Sequence, residues 1–194
     1  MRIILIVFIL IFNSQSWTKA DDIRDFEIEG MSIGDSALNF FSETDIKKNS
    51  KNYFKKKNYT PVQNDDYDFF KIYDAVDFIY KTNDSNYKIV RLSGILSYVN
   101  NIKDCYPKMK EISNGIKLVV GNKVRVQEGN EIHRGDPTGK SKFSFVYFIF
   151  SSGETINISC YDYSKEDGGQ DHLSVTFNSK ESRDFFLSNP YEPY

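Results

Sequence analysis

The chain has 194 residues, 25 basic and 27 acidic side chains, a formal net charge of −2 and an aromatic content of 15%. Charges of both signs are scattered along it, which argues against a general attraction to nucleic acid or to anionic membranes. The length fits one domain, and the aromatic side chains supply large apolar groups for a core. These properties are typical of a single globular domain and do not indicate a particular activity.

Residues 1–20 have the parts of a secretory signal peptide. Arg2 is the positive start, residues 3–12 form an unbroken apolar run, and residues 18–20 offer the side chains expected at a cleavage site. The apolar run is shorter than the roughly 20 residues of a membrane-spanning helix, so cleavage is favoured over an uncleaved anchor. We therefore predict export, no later membrane span, and one mature domain over residues 21–194.

The first part of the mature chain carries two helix-start signals. Ser32 and Asp35 have the spacing of a capping box, and Ser42 and Asp45 repeat it. Residues 26–29 alternate apolar and acidic side chains, which predicts a short strand before the first of these helical turns.

Two resemblances to known families start in this region. GMSIGDSALNFF (30–41) resembles the Gly-Met-Thr helix start of the outer-membrane assembly factor BamE and its relatives with the β-lactamase-inhibitor-protein fold. FEIEGMSIGDSALNFFSETDIKK (26–48), YDAVDFIYK (73–81), YKIVRLSGILSYVNNIKDC (87–105) and ISCYDYS (158–164) are similar to uncharacterised exported proteins of Pelagibacter-type marine bacteria. The second resemblance spans most of the mature chain, and it implies export but no particular activity.

Six lysines, interleaved with aromatic side chains, lie between residues 47 and 57. Such a segment could contact phosphates or anionic glycans. We favour a solvated connection, because a charge run is more often surface than site.

The middle of the chain predicts a hairpin followed by a helix. Residues 69–81 and 87–99 alternate apolar side chains around a polar turn. Asn101 or Asp104 then caps the clearest helix, which we expect to end at Gly121. Its apolar side chains recur at steps of three and four residues: Ile102, Cys105, Tyr106, Met109, Ile112 and Ile116.

The chain has two cysteines, Cys105 in the predicted helix and Cys160 further on. An even number in an oxidising compartment predicts a disulfide, with two separate buried thiols as the alternative. The bond would stabilise the fold by about 2–4 kcal/mol.

Residues 124–141 are polar and predict a long connection, and residues 142–163 then form the most apolar stretch after the N-terminus. This stretch predicts two strands joined by a turn at residues 151–154. The first strand is apolar on both faces, which is typical of a central strand that is covered twice. The second has the half-buried pattern, with Ile156, Ile158 and Cys160 alternating with Thr155, Asn157 and Ser159.

An acidic, glycine-containing loop at residues 163–171 precedes a third strand at residues 173–177 and a last helix capped by Ser179. The predicted fold class is therefore α+β: antiparallel β hairpins form one sheet, with about three helices packed mainly on one face.

The sequence contains short stretches that resemble catalytic or metal-binding motifs, but each lacks a required residue or spacing. Residues 135–141 (GDPTGKS) have the wrong glycine spacing for a phosphate-binding loop and precede a strand rather than a helix. His133 and His172 are the two histidines, and neither lies in a recognised metal or nucleophile motif. The acidic loop could hold calcium, but Tyr163 and Lys165 occupy positions that require oxygen ligands. We predict no cofactor and no metal.

Binding residues concentrate on loops, so the two polar loops are the predicted binding surfaces. Their candidate residues are His133, Arg134, Asp136 and Lys140 in the first loop, and Asp162, Glu166, Asp167 and Asp171 in the second.

The predicted function is that of a non-enzymatic periplasmic binding or interaction module, with an envelope protein or a small molecule as partner and no nucleic acid. One alternative is an envelope assembly or inhibitor module of the BamE or β-lactamase-inhibitor-protein type. The other is an envelope hydrolase that uses His133 or His172 with a nearby carboxylate.

Overall fold

The computed structural model describes residues 20, 22–65, 69–99 and 101–191, so the predicted signal peptide lies outside the described residues except for Ala20. Within these residues one antiparallel sheet of seven strands is accompanied by three α-helices, which confirms the α+β class. The strands are β1 (Tyr59–Asn64), β2 (Ala75–Lys81), β3 (Ile89–Ser97), β4 (Val124–Ile132), β5 (Lys142–Phe150), β6 (Thr155–Asp162) and β7 (His172–Asn178). The helices are α1 (Glu43–Asn49), α2 (Ile102–Val120) and α3 (Lys180–Leu187).

The strand order is β1-β2-β3-β7-β6-β5-β4, so two meanders that are each consecutive in sequence meet at the β3–β7 pair. Seven register pairs, from Arg91 opposite Asn178 to Ser97 opposite His172, join them. The helix α2 lies in the sequence between the two meanders and ends at Gly121, whose φ of 59° an L side chain rarely adopts.

Successive strand side chains point to opposite sides, which gives the sheet two different faces. On the core face, buried apolar side chains from six of the strands form one cluster; among them are Val62, Val76, Phe78, Leu92, Val146, Phe148, Ile156, Ile158 and Val175. Helix α2 covers this face through Ile116 and Val120, and α1 joins it through Ile46. Each such side chain contributes roughly 1.5–3 kcal/mol of burial free energy.

The predicted disulfide is present. Cys105 of α2 is bonded to Cys160 of β6, the two Cα atoms are 6.0 Å apart, and both residues are fully buried. The bond therefore fixes the only long helix of the described residues to the centre of the second meander.

Helix α3 packs on the opposite face of the sheet. Its N-cap is Ser179, as expected, and the side chain of Ser179 accepts from the backbone N–H of Ser182 at 3.2 Å. Phe185 is buried against Phe54 and against strand residues that point away from the core face, Ile79 and Val90. The helices are thus divided, with α1 and α2 on the core face and α3 on the other.

Four local predictions were wrong. Ser32 begins no helix. Residues 124–132 form a nine-residue strand, β4, rather than part of a connection; as an edge strand it is largely exposed on both faces, so its sequence lacks apolar alternation. Residues 26–29 form no strand but a single bridge between Ile28 and Met31. Strand β5 is not central and lies next to the edge, and its second face is half-buried except at Phe145.

Candidate ligand-binding face

The face of the sheet opposite α2, here called the open face, carries side chains such as Tyr147, Asn157 and Thr176. Helix α3 covers part of it near Asn178, where Ser182 Oγ lies 3.5 Å from Asn178 Oδ1. Further along the strands Tyr147 and Tyr161 are half-buried, whereas Phe145 is buried, as are Ser93 and Thr176. This face is therefore partly accessible, whereas the other face of the sheet is packed.

A row of polar side chains crosses the open face from one edge of the sheet to the other. The strand registers place one residue from each strand side by side, and all seven are polar. This polar row consists of Gln63, Asp77, Ser93, Thr176, Asn157, Tyr147 and Gln127, in the order of the strands across the sheet. Because neighbouring strands lie about 4.8 Å apart, the polar row is about 29 Å long.

The centre of the polar row holds a polar atom with no partner. Ser93 Oγ lies 2.9 Å from Thr176 Oγ1, which is also 2.9 Å from Ser174 Oγ, so these hydroxyls satisfy one another. Asn157, the next residue of the row, has its Oδ1 shielded from solvent without a hydrogen-bond partner. An unsatisfied buried acceptor costs about 1–3 kcal/mol, so Asn157 is a poor choice for stability alone.

Aromatic rings border the polar row on the side away from α3. This aromatic shelf consists of Phe143, Phe145, Tyr147, Tyr161, Tyr163, His133 and His172. The ring centroids of Phe145 and Tyr147 are 4.3 Å apart, and those of Tyr161 and His172 are 4.7 Å apart. The buried Nδ1 of His133, in the same shelf, also lacks a hydrogen-bond partner.

A cleft lies over the part of the polar row that β2 and β3 supply, on the side of α3. It lies between the sheet and the rings of Tyr53, Phe186 and Tyr191. The polar groups that line it are Asp77, Arg91 and Ser93. The Arg91 guanidinium carbon lies 4.3 Å from the centre of the Phe186 ring, so the charge is held in place by a cation–π contact.

The cleft holds a carboxyl group with an altered acidity. Burial raises the pKa of Asp77 to about 6, although a hydrogen bond with Gln63 and the positive charge of Arg91 both act in the opposite direction. A perturbed carboxyl group in a cleft is a common property of functional sites. At neutral pH Asp77 is mainly ionised, and its charge balances that of Arg91.

Burial keeps Tyr147 and His172 of the aromatic shelf uncharged at neutral pH. Burial raises the pKa of Tyr147 to about 12, so its hydroxyl keeps its proton. Burial lowers the pKa of His172, whose Nδ1 lies 2.8 Å from the carbonyl oxygen of Gln170. The neutral ring must donate from Nδ1 to that carbonyl, which leaves its Nε2 as an acceptor.

The two loops predicted as binding surfaces lie side by side at the end of the open face. The carboxylate of Asp136 accepts from Ser141 Oγ at 2.6 Å in its own loop and from Ser164 Oγ at 3.2 Å in the other loop. Lys140 Nζ and Glu166 Oε1 make an exposed ion pair at 2.5 Å. These three charged groups hold the loops together, and the hydrogen bonds from Ser141 and Thr138 keep the pKa of Asp136 well below its ordinary value.

The other candidate residues have different surroundings. Asp171 Oδ1 accepts from the backbone N–H of Tyr163 at 2.8 Å, and Asp162 pairs in register with Lys142. Arg134 is exposed, and Asp167 is half-buried. His133 differs from all of these, because its ring packs edge-on against Tyr163 in the aromatic shelf.

Neither a metal centre nor a membrane span stands out in the part of the chain that the structure describes. Nowhere in it do three His, Cys, Asp or Glu side chains come together as metal ligands would. None of its helices is both long and apolar enough to cross a bilayer.

Comparison with known proteins gives no family assignment. No protein-family model matches the chain, and no curated protein matches it at a significant level. A solved structure with some likeness is the Saccharomyces cerevisiae Ran-binding protein Mog1p, at 12% identity and a TM-score of 0.29, covering 75% of this chain and 85% of that chain. Likeness at this level assigns neither a fold nor a function.

The polar row is the feature that sequence reasoning missed. Asn157 was visible only as part of the polar side of a half-buried strand. No signal in the sequence marks the row, because it forms only through the strand registers.

Proposed function

We propose that the protein is exported and binds a ligand non-covalently on the open face of its sheet. The observation that carries the proposal is the shielded Oδ1 of Asn157, which lies without a partner at the centre of the polar row. A ligand donor, reaching it as the amide or a neighbouring ring rotates, would satisfy this atom. Buried polar atoms in folded proteins are otherwise nearly always hydrogen-bonded.

The composition of the open face supports binding over packing. Strand residues that only had to face water would be free to be charged, and those that only had to pack would be apolar. The polar row is neither, because six of its seven members are uncharged amide or hydroxyl side chains. Aromatic rings next to a few oriented polar groups are the usual lining of a ligand site.

Export is supported by the sequence of residues 1–20 and by the disulfide. Bonds of this kind form and persist in the periplasm and outside the cell, and are rare in the cytosol. The resemblance to exported proteins of marine bacteria points to the same compartment.

A binding role is favoured over catalysis because the titratable groups of the open face do not converge. Asp77 lies in the cleft near one edge of the sheet, whereas His133 and His172 lie in the aromatic shelf at the end of the other meander. A catalytic site requires its acid, base and electrophile around one reacting atom.

Native mass spectrometry of the protein isolated from its own cells tests this proposal. We expect the mass of residues 21–194 less two hydrogens for the disulfide, together with a non-covalent adduct. The adduct should be absent from an Asn157→Leu variant and present on an Asn130→Leu variant, because Asn130 lies on the core side of β4 and bonds Ser144. An uncleaved chain would refute export, and a wild-type protein without any adduct would argue against the binding role.

A further inference from the structure

We propose that the ligand of the open face is a neutral oligosaccharide, whose hydroxyl groups bond the polar row and whose C–H surfaces lie against the aromatic shelf. This assignment rests on the proposed binding function and adds the chemical class of the ligand. It follows from the hydrogen-bonding character, the charge, the rings and the shape of the face.

The hydrogen-bonding character of the polar row matches hydroxyl groups. Amide and hydroxyl side chains both donate and accept, and so does every hydroxyl group of a sugar. A phosphate or carboxylate ligand would instead require a set of donors such as arginine, lysine and backbone N–H groups. The polar row contains no lysine or arginine.

The charge of the site also favours a neutral ligand. Asp77 and Arg91 line the same cleft with opposite charges, so neither an anion nor a cation would be selected there. A carboxylate and a guanidinium each offer two polar atoms in one plane, which suits the two hydroxyl groups on adjacent carbons of a sugar ring. Phe186 fixes the guanidinium for this task.

Aromatic rings next to polar groups complete the match. The rings of Phe143, Tyr147 and Tyr161 are half-buried, so part of each stays accessible beside the polar row. The faces of aromatic rings are negative, and the C–H groups between the hydroxyls of a sugar carry positive partial charge. A fully apolar ligand would be excluded, because it would leave Asn157 and its neighbours without partners.

The shape of the face points to a chain of sugars rather than to a single one. The polar row runs about 29 Å across the sheet, bounded by α3 on one side and by the aromatic shelf on the other. A compact ligand would occupy only the cleft at Asp77. Ser93 and Thr176 are buried, so the members that a ligand can reach are Gln63, Asp77, Asn157, Tyr147 and Gln127. These five are spread over the whole length of the polar row, which fits a ligand that repeats.

The test is a titration of the ¹⁵N-labelled, disulfide-bonded protein, followed by NMR. The probes are cellohexaose, laminarihexaose, maltohexaose and chitohexaose, with hexagalacturonate as an anionic probe and indole as an aromatic probe, each up to about 10 mM. That concentration brings even a complex with a Kd of 1 mM close to saturation. The backbone and side-chain amides of Gln63, Asn157 and Gln127 report on the polar row.

We expect at least one neutral hexaose to shift these amides. Asn157→Leu and Tyr147→Ala should each weaken binding at least tenfold, Tyr147→Phe less, and Asn130→Leu not at all. Shifts caused only by hexagalacturonate or indole would overturn the carbohydrate assignment while leaving the binding face in place. If none of the probes shifts the polar row, the carbohydrate assignment is wrong. If Asn157→Leu also lowers stability, the binding role is wrong as well.

Discussion

Replacing Cys105 and Cys160 together with alanine should lower the free energy of unfolding by about 4 kcal/mol. The disulfide closes a loop with a sequence separation of 55 residues. The entropy removed from the unfolded chain by closing a loop of that size is about 14 cal/mol/K, which corresponds to about 4 kcal/mol at 25 °C. Both side chains are fully buried, so the loss of two packed sulfur atoms adds to the effect.

Urea unfolding followed by circular dichroism measures this change. With a slope of about 2 kcal/mol per molar urea, the midpoint of the double variant should fall by about 2 M. Wild-type protein in dithiothreitol should show most of this fall but unfold at a somewhat higher midpoint than the double variant, because it keeps both sulfur atoms. Dithiothreitol should leave the double variant unchanged. This second comparison separates the loss of the covalent bond from any effect of the alanine side chains.

A fall of less than about 1 kcal/mol in the double variant would refute the reasoning. It would mean that the unfolded chain stays compact around α2 and β6 without the bond, so that closing the loop removes little entropy. A slope that differs strongly between the variant and the wild type would indicate the same thing.

Three further predictions concern single positions. Asn157→Leu should raise the free energy of unfolding by about 1 kcal/mol because it removes an unpaired buried acceptor, whereas Asn178→Leu should lower it by about 2 kcal/mol because it breaks satisfied hydrogen bonds. Burial raises the pKa of Asp77 from 3.8 to about 6, so its contribution to stability is full below pH 3.8 and is lost as the pH rises through 6. Asp77→Asn should therefore stabilise the protein by about 3 kcal/mol at pH 7.5 and not at pH 3.5. Gly94→Ala should lower the free energy of unfolding by about 1–3 kcal/mol, because the added Cβ would lie 2.6 Å from a neighbouring aromatic ring. As a control, the Cβ added by Gly115→Ala in α2 meets no atom within 4 Å, so this change should raise the free energy of unfolding by about 1 kcal/mol.

Urea midpoints at fixed pH check these changes. Equal losses for Asn157→Leu and Asn178→Leu would show that Asn157 has a structural partner such as a bound water. A constant effect of Asp77→Asn between pH 3.5 and 7.5 would mean that Asp77 titrates normally. The ring next to Gly94 is that of Tyr73, so Tyr73→Ala should remove most of the penalty of Gly94→Ala if the clash is its cause.

The fold was predictable from this sequence wherever an element has one apolar side. The stripe that includes Cys105 and Ile116 predicted α2, and alternation predicted β2, β3, β6 and β7. Strand β4 escaped because residues such as Arg125 and Glu128 are exposed on both faces of an edge strand, which removes the alternation. Strand β1 was not predicted, because Pro61 was interpreted as the end of a segment, although an edge strand tolerates proline.

The candidate site was less predictable because it is a property of strand registers. Asn157 is part of the candidate site because the sheet places Tyr147 and Thr176, from two other strands, on either side of it. The register of strands that are distant in the sequence could not be predicted from the sequence. His133 was identified as a candidate, but its place beside Tyr163 in the aromatic shelf could not be inferred from its loop.

The order of the strands also dictates when the sheet can close during synthesis. Strand β3 pairs with β2 immediately before it, but its other neighbour is β7, about 75 residues later in the chain. At 5–20 residues per second, the ribosome needs about 4–15 s to make that intervening chain. For this time the growing chain carries a nine-residue strand edge with unpaired backbone groups, a form prone to wrong pairing with other chains. This edge therefore stays unpaired until β7 has emerged.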